Sequence, residues 1–188
     1  MRFKGNSKRV EKPNFWPKYS QNVPIELKDM VYQQYFCEDS LFIYCDMSMN
    51  NQSHLMSVAC CYVHSGKVQV KQQLVYPPSD CVNKNIFGEF KAIIFALTHF
   101  EKYAASCKNV IIYSDIRQIE EYLNRDTKFK KNPSLIKIQS ELISLYVGKK
   151  QRFPHKSITV QYLPHDHKAF NPFFKAAHNG AKRLSNSN

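Results

Sequence analysis

Three acidic side chains, each closing or opening an apolar run, are the residues best placed to do chemistry in this chain. Asp46 follows Leu41-Phe42-Ile43-Tyr44-Cys45, and Asp115 follows Asn109-Val110-Ile111-Ile112-Tyr113-Ser114. Glu89 opens the apolar face of Glu89-Phe90-Lys91-Ala92-Ile93-Ile94-Phe95-Ala96-Leu97. Carboxylates at such positions lose hydration and repel one another unless a cation neutralises them. A hard divalent cation, which prefers oxygen ligands, is the usual neutraliser. Carboxylates drawn from separate elements therefore point to a magnesium site.

The elements that must bring them together read from about residue 40 onward. A strand over 41–47 is followed by the turn-rich Asn50-Asn51-Gln52-Ser53. A second strand (55–64) ends in His64-Ser65-Gly66-Lys67, a hairpin signature, and a third (67–76) alternates until Pro77-Pro78 stops it. A helix is expected over 85–105, with Phe90, Ile93, Ile94, Leu97 and Phe100 spaced three and four apart. A strand (109–114) leads to a short helix (116–124), and Asn132-Pro133-Ser134 begins another (133–147). A fifth strand (157–163) precedes a last helix (172–184) that starts at Asn171-Pro172. The order βββ-α-β-α-α-β-α is a meander followed by helix-linked strands, which favour parallel pairing. It predicts an α/β fold with a five-stranded mixed sheet, a three-stranded antiparallel meander plus two parallel strands, flanked by helices.

Residues 1–38 read as a basic, partly irregular N-terminal arm with a short helix near 25–32, and 39–188 as the domain. The aromatics Trp16, Phe129 and Phe153 could stack on bases, but packing within the arm or core is the stronger expectation.

Composition narrows the partners. The 188 residues carry 27 Lys and Arg against 15 Asp and Glu, a formal charge of +12, which calls for an anionic partner such as nucleic acid. The hydrophobic fraction of 43% argues against a disordered chain. No apolar run approaches the roughly 18 residues that span a bilayer, so no membrane association is expected. The six cysteines lack C-x-x-C spacing, and Cys45, Cys60 and Cys61 sit in apolar runs as buried reduced thiols would. A cytoplasmic monomer is the expectation.

Together, element order and acid positions resemble the ribonuclease H family over about residues 40–184. In that family an Asp on the first strand is followed shortly by Ser, as in Asp46-Met47-Ser48. The first long helix carries a Glu preceded four residues earlier by Asn, as in Asn85 and Glu89, and the fourth strand ends in an Asp, as in Tyr113-Ser114-Asp115. The resemblance implies two Mg2+ (or Mn2+) ions about 3.5–4 Å apart at a scissile phosphate. Asp46 would be their shared ligand, with Glu89 and Asp115 each completing one coordination sphere. It further implies hydrolysis of RNA in RNA–DNA hybrids, leaving 5′-phosphate and 3′-hydroxyl ends.

One position departs from the pattern. The family places a fourth acid on the last helix, within a motif like Ala-Asp-x-x-Ala-Lys. Here the stretch is Ala177-His178-Asn179-Gly180-Ala181-Lys182. His178 could ligate a metal, its softer nitrogen favouring manganese or zinc, or the site could be degenerate. Asp166, in Pro164-His165-Asp166-His167, could replace the missing carboxylate, and His165 or His167 could assist proton transfer from that loop. Ser48, Asn50, Asn85, Arg117, Lys128, Lys130 and Lys131 are the candidates for holding nucleic acid. The rival readings are an inactive ribonuclease H-like binding module and a related DNA nuclease.

Overall fold

The computed structural model describes residues 12–17, 20–50 and 52–186. Of the basic arm, Arg2, Lys4, Lys8, Arg9 and Lys18 lie outside the described residues.

Five strands form one sheet: β1 (Ser40–Met49), β2 (Met56–His64), β3 (Lys67–Val75), β4 (Asn109–Ser114) and β5 (Ser157–Tyr162). Their spatial order is β3-β2-β1-β4-β5. β1, β2 and β3 pair antiparallel, whereas β4 and β5 continue the sheet in parallel with β1. This is the expected mixed sheet. The helices are α1 (Ile25–Phe36), α2 (Asn85–His99), α3 (Ile119–Asn124), α4 (Pro133–Arg152), α5 (His165–Lys168) and α6 (Pro172–Asn186). Among the described residues, no helix is long and apolar enough to cross a membrane.

The helices divide between the two faces of the sheet. Strand alternation sends Leu41, Ile43 and Cys45 into a core shared with Phe90, Ile93 and Leu97 of α2 and Ile138 and Leu142 of α4. It sends Tyr44 to the opposite face, into a second core with Leu27 and Val31 of α1 and Phe173 and Ala177 of α6. Trp16 joins this second core, and its indole Nε1 donates to the Phe170 carbonyl at 2.7 Å. Trp16, Val23, Leu27 and Val31 are thus packed onto the sheet, and Trp16 is buried rather than displayed to a ligand. Phe129 stacks on Tyr122, and Phe153 meets Phe100 edge-on.

Several boundaries differ from the periodicity, each for a local reason. β1 runs past Asp46 to Met49 because β2 supplies partners as far as Met49↔Met56. α2 gives way at Phe100 to a single 3-10 turn ending at Lys102. α4 begins where Asn132 Oδ1 accepts from Leu135 N–H at 2.8 Å, ahead of Pro133. It continues to Arg152, because Lys149, Lys150 and Arg152 suit a helix carboxyl end and Glu101 pairs with Lys149 and Arg152. The single turn α5 falls in a stretch that carries no helical period. All six cysteines are free, and five of them are buried.

Candidate metal centre

Strand register sets the first two carboxylates. Tyr44 of β1 is the parallel partner of Tyr113 of β4, and their rings stack with centroids 4.9 Å apart. Asp46 and Asp115 each lie two residues further on, so pleating turns both to the same face. The β1–β4 pairing ends at Tyr44↔Tyr113. Both acids therefore stand at the carboxyl ends of a parallel strand pair, where open α/β sheets leave a crevice.

Glu89 arrives from the other layer, one turn into α2. Gly88 permits the approach: a Cβ there would meet Met47 Cε at 2.2 Å and Cγ at 3.3 Å. Without a Cβ, the first turn of α2 lies directly against the residue after Asp46. One carboxylate oxygen from each of Asp46, Glu89 and Asp115 lies within 4.8 Å of the others.

Electrostatics show what this proximity costs. Burial pushes the Asp46 carboxyl up to about 6; the His178 hydrogen bond opposes the rise and the charge of Asp115 adds to it. Burial raises Glu89 well above the usual carboxylate range, with Asp46 and Asp115 contributing and Lys168 opposing. Glu89 Oε2 and Asp115 Oδ1 are buried and accept no hydrogen bond. The Lys168 ammonium lies 2.9 Å from Asp115 Oδ1, but off hydrogen-bonding alignment, so this contact is ionic. Three clustered hard oxygen donors, with Glu89 Oε2 buried and unpartnered, fit a hard divalent cation.

The α6 helix brings His178 to the same place. Asn171 Oδ1 accepts from Phe173 N–H (2.9 Å) and Phe174 N–H (3.0 Å), while its Nδ2 donates to the Tyr44 hydroxyl (3.1 Å). Further along, Ser57 Oγ donates to the Ala181 carbonyl at 2.6 Å. Between these anchors Gly180 lets the helix lie close, since a Cβ would meet Val70 Cγ1 at 3.0 Å and Ala59 Cβ at 3.3 Å. His178 Nδ1 then sits 2.8 Å from Asp46 Oδ2. With Asp46 ionised, Nδ1 carries the hydrogen, and Nε2 remains open on a side chain 49% exposed.

Other candidates lie elsewhere. His165, Asp166 and His167 are exposed on α5, and Asp166 is outside the clustered acids. Ser48 and Asn50 are engaged in structure: Ser185 Oγ donates to Ser48 Oγ, and Asn50 Nδ2 donates to the Ser185 carbonyl. Asn50 Oδ1 also accepts from Gln52 and Ser53 N–H, holding the β1–β2 turn. Asn85 is exposed at the start of α2, and Arg117 is exposed two residues beyond Asp115. Lys128, Lys130 and Lys131 are exposed between α3 and α4, Lys128 lining a cleft with Arg125, Phe129 and Ile136.

Lys168 is the site residue that sequence reasoning missed. Its position beside the His165-Asp166-His167 turn was its one trace in the sequence, and a lysine in a loop ordinarily reads as solvated surface.

Comparison with known proteins bears on the fold. No family model matches the chain, and no curated protein does. Solved structures do. The N-terminal RNase H domain of a Mycobacterium tuberculosis protein is 14% identical with a TM-score of 0.55, over 80% of this chain and 99% of that one. RNase H1 from the halophilic archaeon Halobacterium salinarum is 16% identical with a TM-score of 0.54, over 77% and 98%. A compost-derived RNase H1, solved with an RNA/DNA hybrid, is 16% identical with a TM-score of 0.53, over 77% and 99%. Element order, sheet topology and these superpositions agree that the chain has the ribonuclease H fold.

Proposed function

We propose that this protein is a metal-dependent nuclease that hydrolyses phosphodiester bonds, with the RNA strand of an RNA–DNA hybrid as its substrate. The observation that carries the reading is the cluster of Asp46, Glu89 and Asp115, within 4.8 Å at the strand ends of a ribonuclease H fold. The buried Glu89 Oε2, left without a hydrogen bond, supports a cation as its missing partner. One of the similar structures is bound to an RNA/DNA hybrid, which supports the choice of substrate.

In this reading Asp46, Glu89 and Asp115 would together hold two Mg2+ or Mn2+ ions. His178 fixes the Asp46 carboxylate through Nδ1 and offers Nε2 where a fourth ligand is needed. The chemistry such ions supply when bound is activation of a water and stabilisation of the leaving oxygen. His165 or His167, exposed on α5, moves protons at the edge of the site. The basic residues Arg117, Lys128, Lys130 and Lys131, with Asn85, hold the nucleic-acid backbone. Water adds to phosphorus as the P–O3′ bond breaks, its proton passing to the departing 3′ oxygen. The products are a 3′-hydroxyl and a 5′-phosphate.

A second reading, a binding module that does not cleave, is favoured by one observation: His178 stands where a fourth carboxylate would complete the cluster. The deciding experiment offers labelled hybrid, duplex DNA, single-stranded RNA and single-stranded DNA to the full chain, in Mg2+ and separately in Mn2+. Cleavage of the RNA strand of the hybrid is expected. Failure on all four with both metals would leave the binding module, and cleavage confined to DNA would indicate a DNA nuclease.

A further inference from the structure

The chain carries a cation of its own into the acidic centre. Lys168 ends α5, and its ammonium lies 2.9 Å from Asp115 Oδ1. The same ammonium lies 5.2 Å from the Tyr162 ring centroid and 5.9 Å from that of Phe174. These two aromatic rings come from the end of β5 and from α6, so two separate elements hold the lysine. Its side chain is only 17% exposed, so solvent screens the pair weakly. Cation–π contact and a facing carboxylate both favour the lysine staying where it is.

This placement conflicts with metal entry. A magnesium ion bonds a carboxylate oxygen at about 2.0–2.1 Å. An ammonium already against that oxygen takes the space and repels the incoming charge. We propose that Lys168 is an internal counter-ion that occupies the Asp115 position in the metal-free protein, and that it must withdraw before a divalent ion binds there. The proposal rests on the metal centre of the nuclease reading. It goes further in coupling metal loading to the turn 165–168, which also carries His165 and His167. Entry of the ion and repositioning of these histidines then become one event.

The test is Mn2+ titration of the chelator-treated full chain, following free Mn2+ by its electron paramagnetic resonance signal. Lys168→Met keeps the apolar stem over Tyr162 and Phe174 and removes the charge; Lys168→Gln is the second variant. Both are expected to bind Mn2+ on the order of tenfold more tightly than wild type. Lys175→Met removes an equal charge from the exposed face of α6, and a change below about twofold is expected there, as screening dictates. Equal affinity of wild type and the Lys168 variants, or an equal gain in Lys175→Met, would overturn the proposal. Asp46→Asn separates it from the parent reading. Mn2+ binding that Asp46→Asn abolishes but Lys168→Met leaves unchanged removes the counter-ion alone. Absence of any Asp46-dependent binding removes the metal centre as well.

Discussion

His178 Nδ1 and Asp46 Oδ2 stand 2.8 Å apart, joining the last helix to the first strand at the position where the carboxylates converge. The contact gives an imidazole to a place where the resembling family has an acid. An imidazole nitrogen is a softer donor than a carboxylate and favours manganese over magnesium. Cleavage should therefore be faster in Mn2+ than in Mg2+ for the wild type. His178→Asp should lower that ratio by about tenfold, a change on the order of 1.4 kcal/mol. Initial rates on a hybrid in each metal read the ratio directly; an unchanged ratio would remove His178 from the metal's surroundings.

Metal-free stability should depend on pH in a direction opposite to that of an ordinary salt-bridged acid. Asp46, raised to about 6, and Glu89, raised further by burial, bind protons more readily in the folded than in the unfolded chain. Below about pH 4 these groups are protonated in both states and cost nothing. As the pH rises through about 6, the folded state must accept buried charge and loses stability. For Asp46 the loss by pH 7.5 is about 3 kcal/mol. Asp46→Asn in chelator should melt higher than wild type at pH 7.5, and the two should converge near pH 4. A variant that melts lower at pH 7.5 would contradict the electrostatics.

The junction that positions α6 should be costly to remove. Asn171 is fully buried, caps the helix through two N–H groups and donates to Tyr44. Asn171→Ala loses the cap and leaves the tyrosine hydroxyl without that donor, a cost of about 2–3 kcal/mol. Urea unfolding measures it, and a change below about 0.5 kcal/mol would show that α6 is held elsewhere.

Backbone binding by the α3–α4 lysines should appear in the salt dependence. In an Asp46→Asn background, replacing Lys128, Lys130 and Lys131 with alanine should weaken hybrid binding. The slope of log affinity on log salt should flatten by about 0.9 for each phosphate that is no longer neutralised. A slope equal to that of the parent would make these lysines solvated surface.

Much of the fold was legible because its signals are local. Alternation, the Ser65-Gly66 turn and the spacing of Phe90, Ile93 and Leu97 specify elements without reference to the rest of the chain. The three carboxylates were legible because each ends or opens such an element. What the sequence hid depends on distant partners. β1 outlasts its apolar run because β2 pairs with it, and Trp16 is buried because Phe170 offers a carbonyl. Ser48 and Asn50 have the types of ligand-binding residues, yet Ser185 engages both. Lys168 was hidden for the same reason: its meaning comes from Asp115, Tyr162 and Phe174, gathered by three different elements.

If Asp46, Glu89 and Asp115 form the centre of a hybrid-cleaving nuclease, Asp46→Asn should remove cleavage and spare binding. Cleavage and binding of a labelled RNA–DNA hybrid should be measured side by side for wild type and variant in Mn2+. Cleavage should fall by at least about a thousandfold, a barrier increase on the order of 4 kcal/mol, while hybrid affinity stays within a few-fold. Retention of full cleavage by Asp46→Asn would contradict the account.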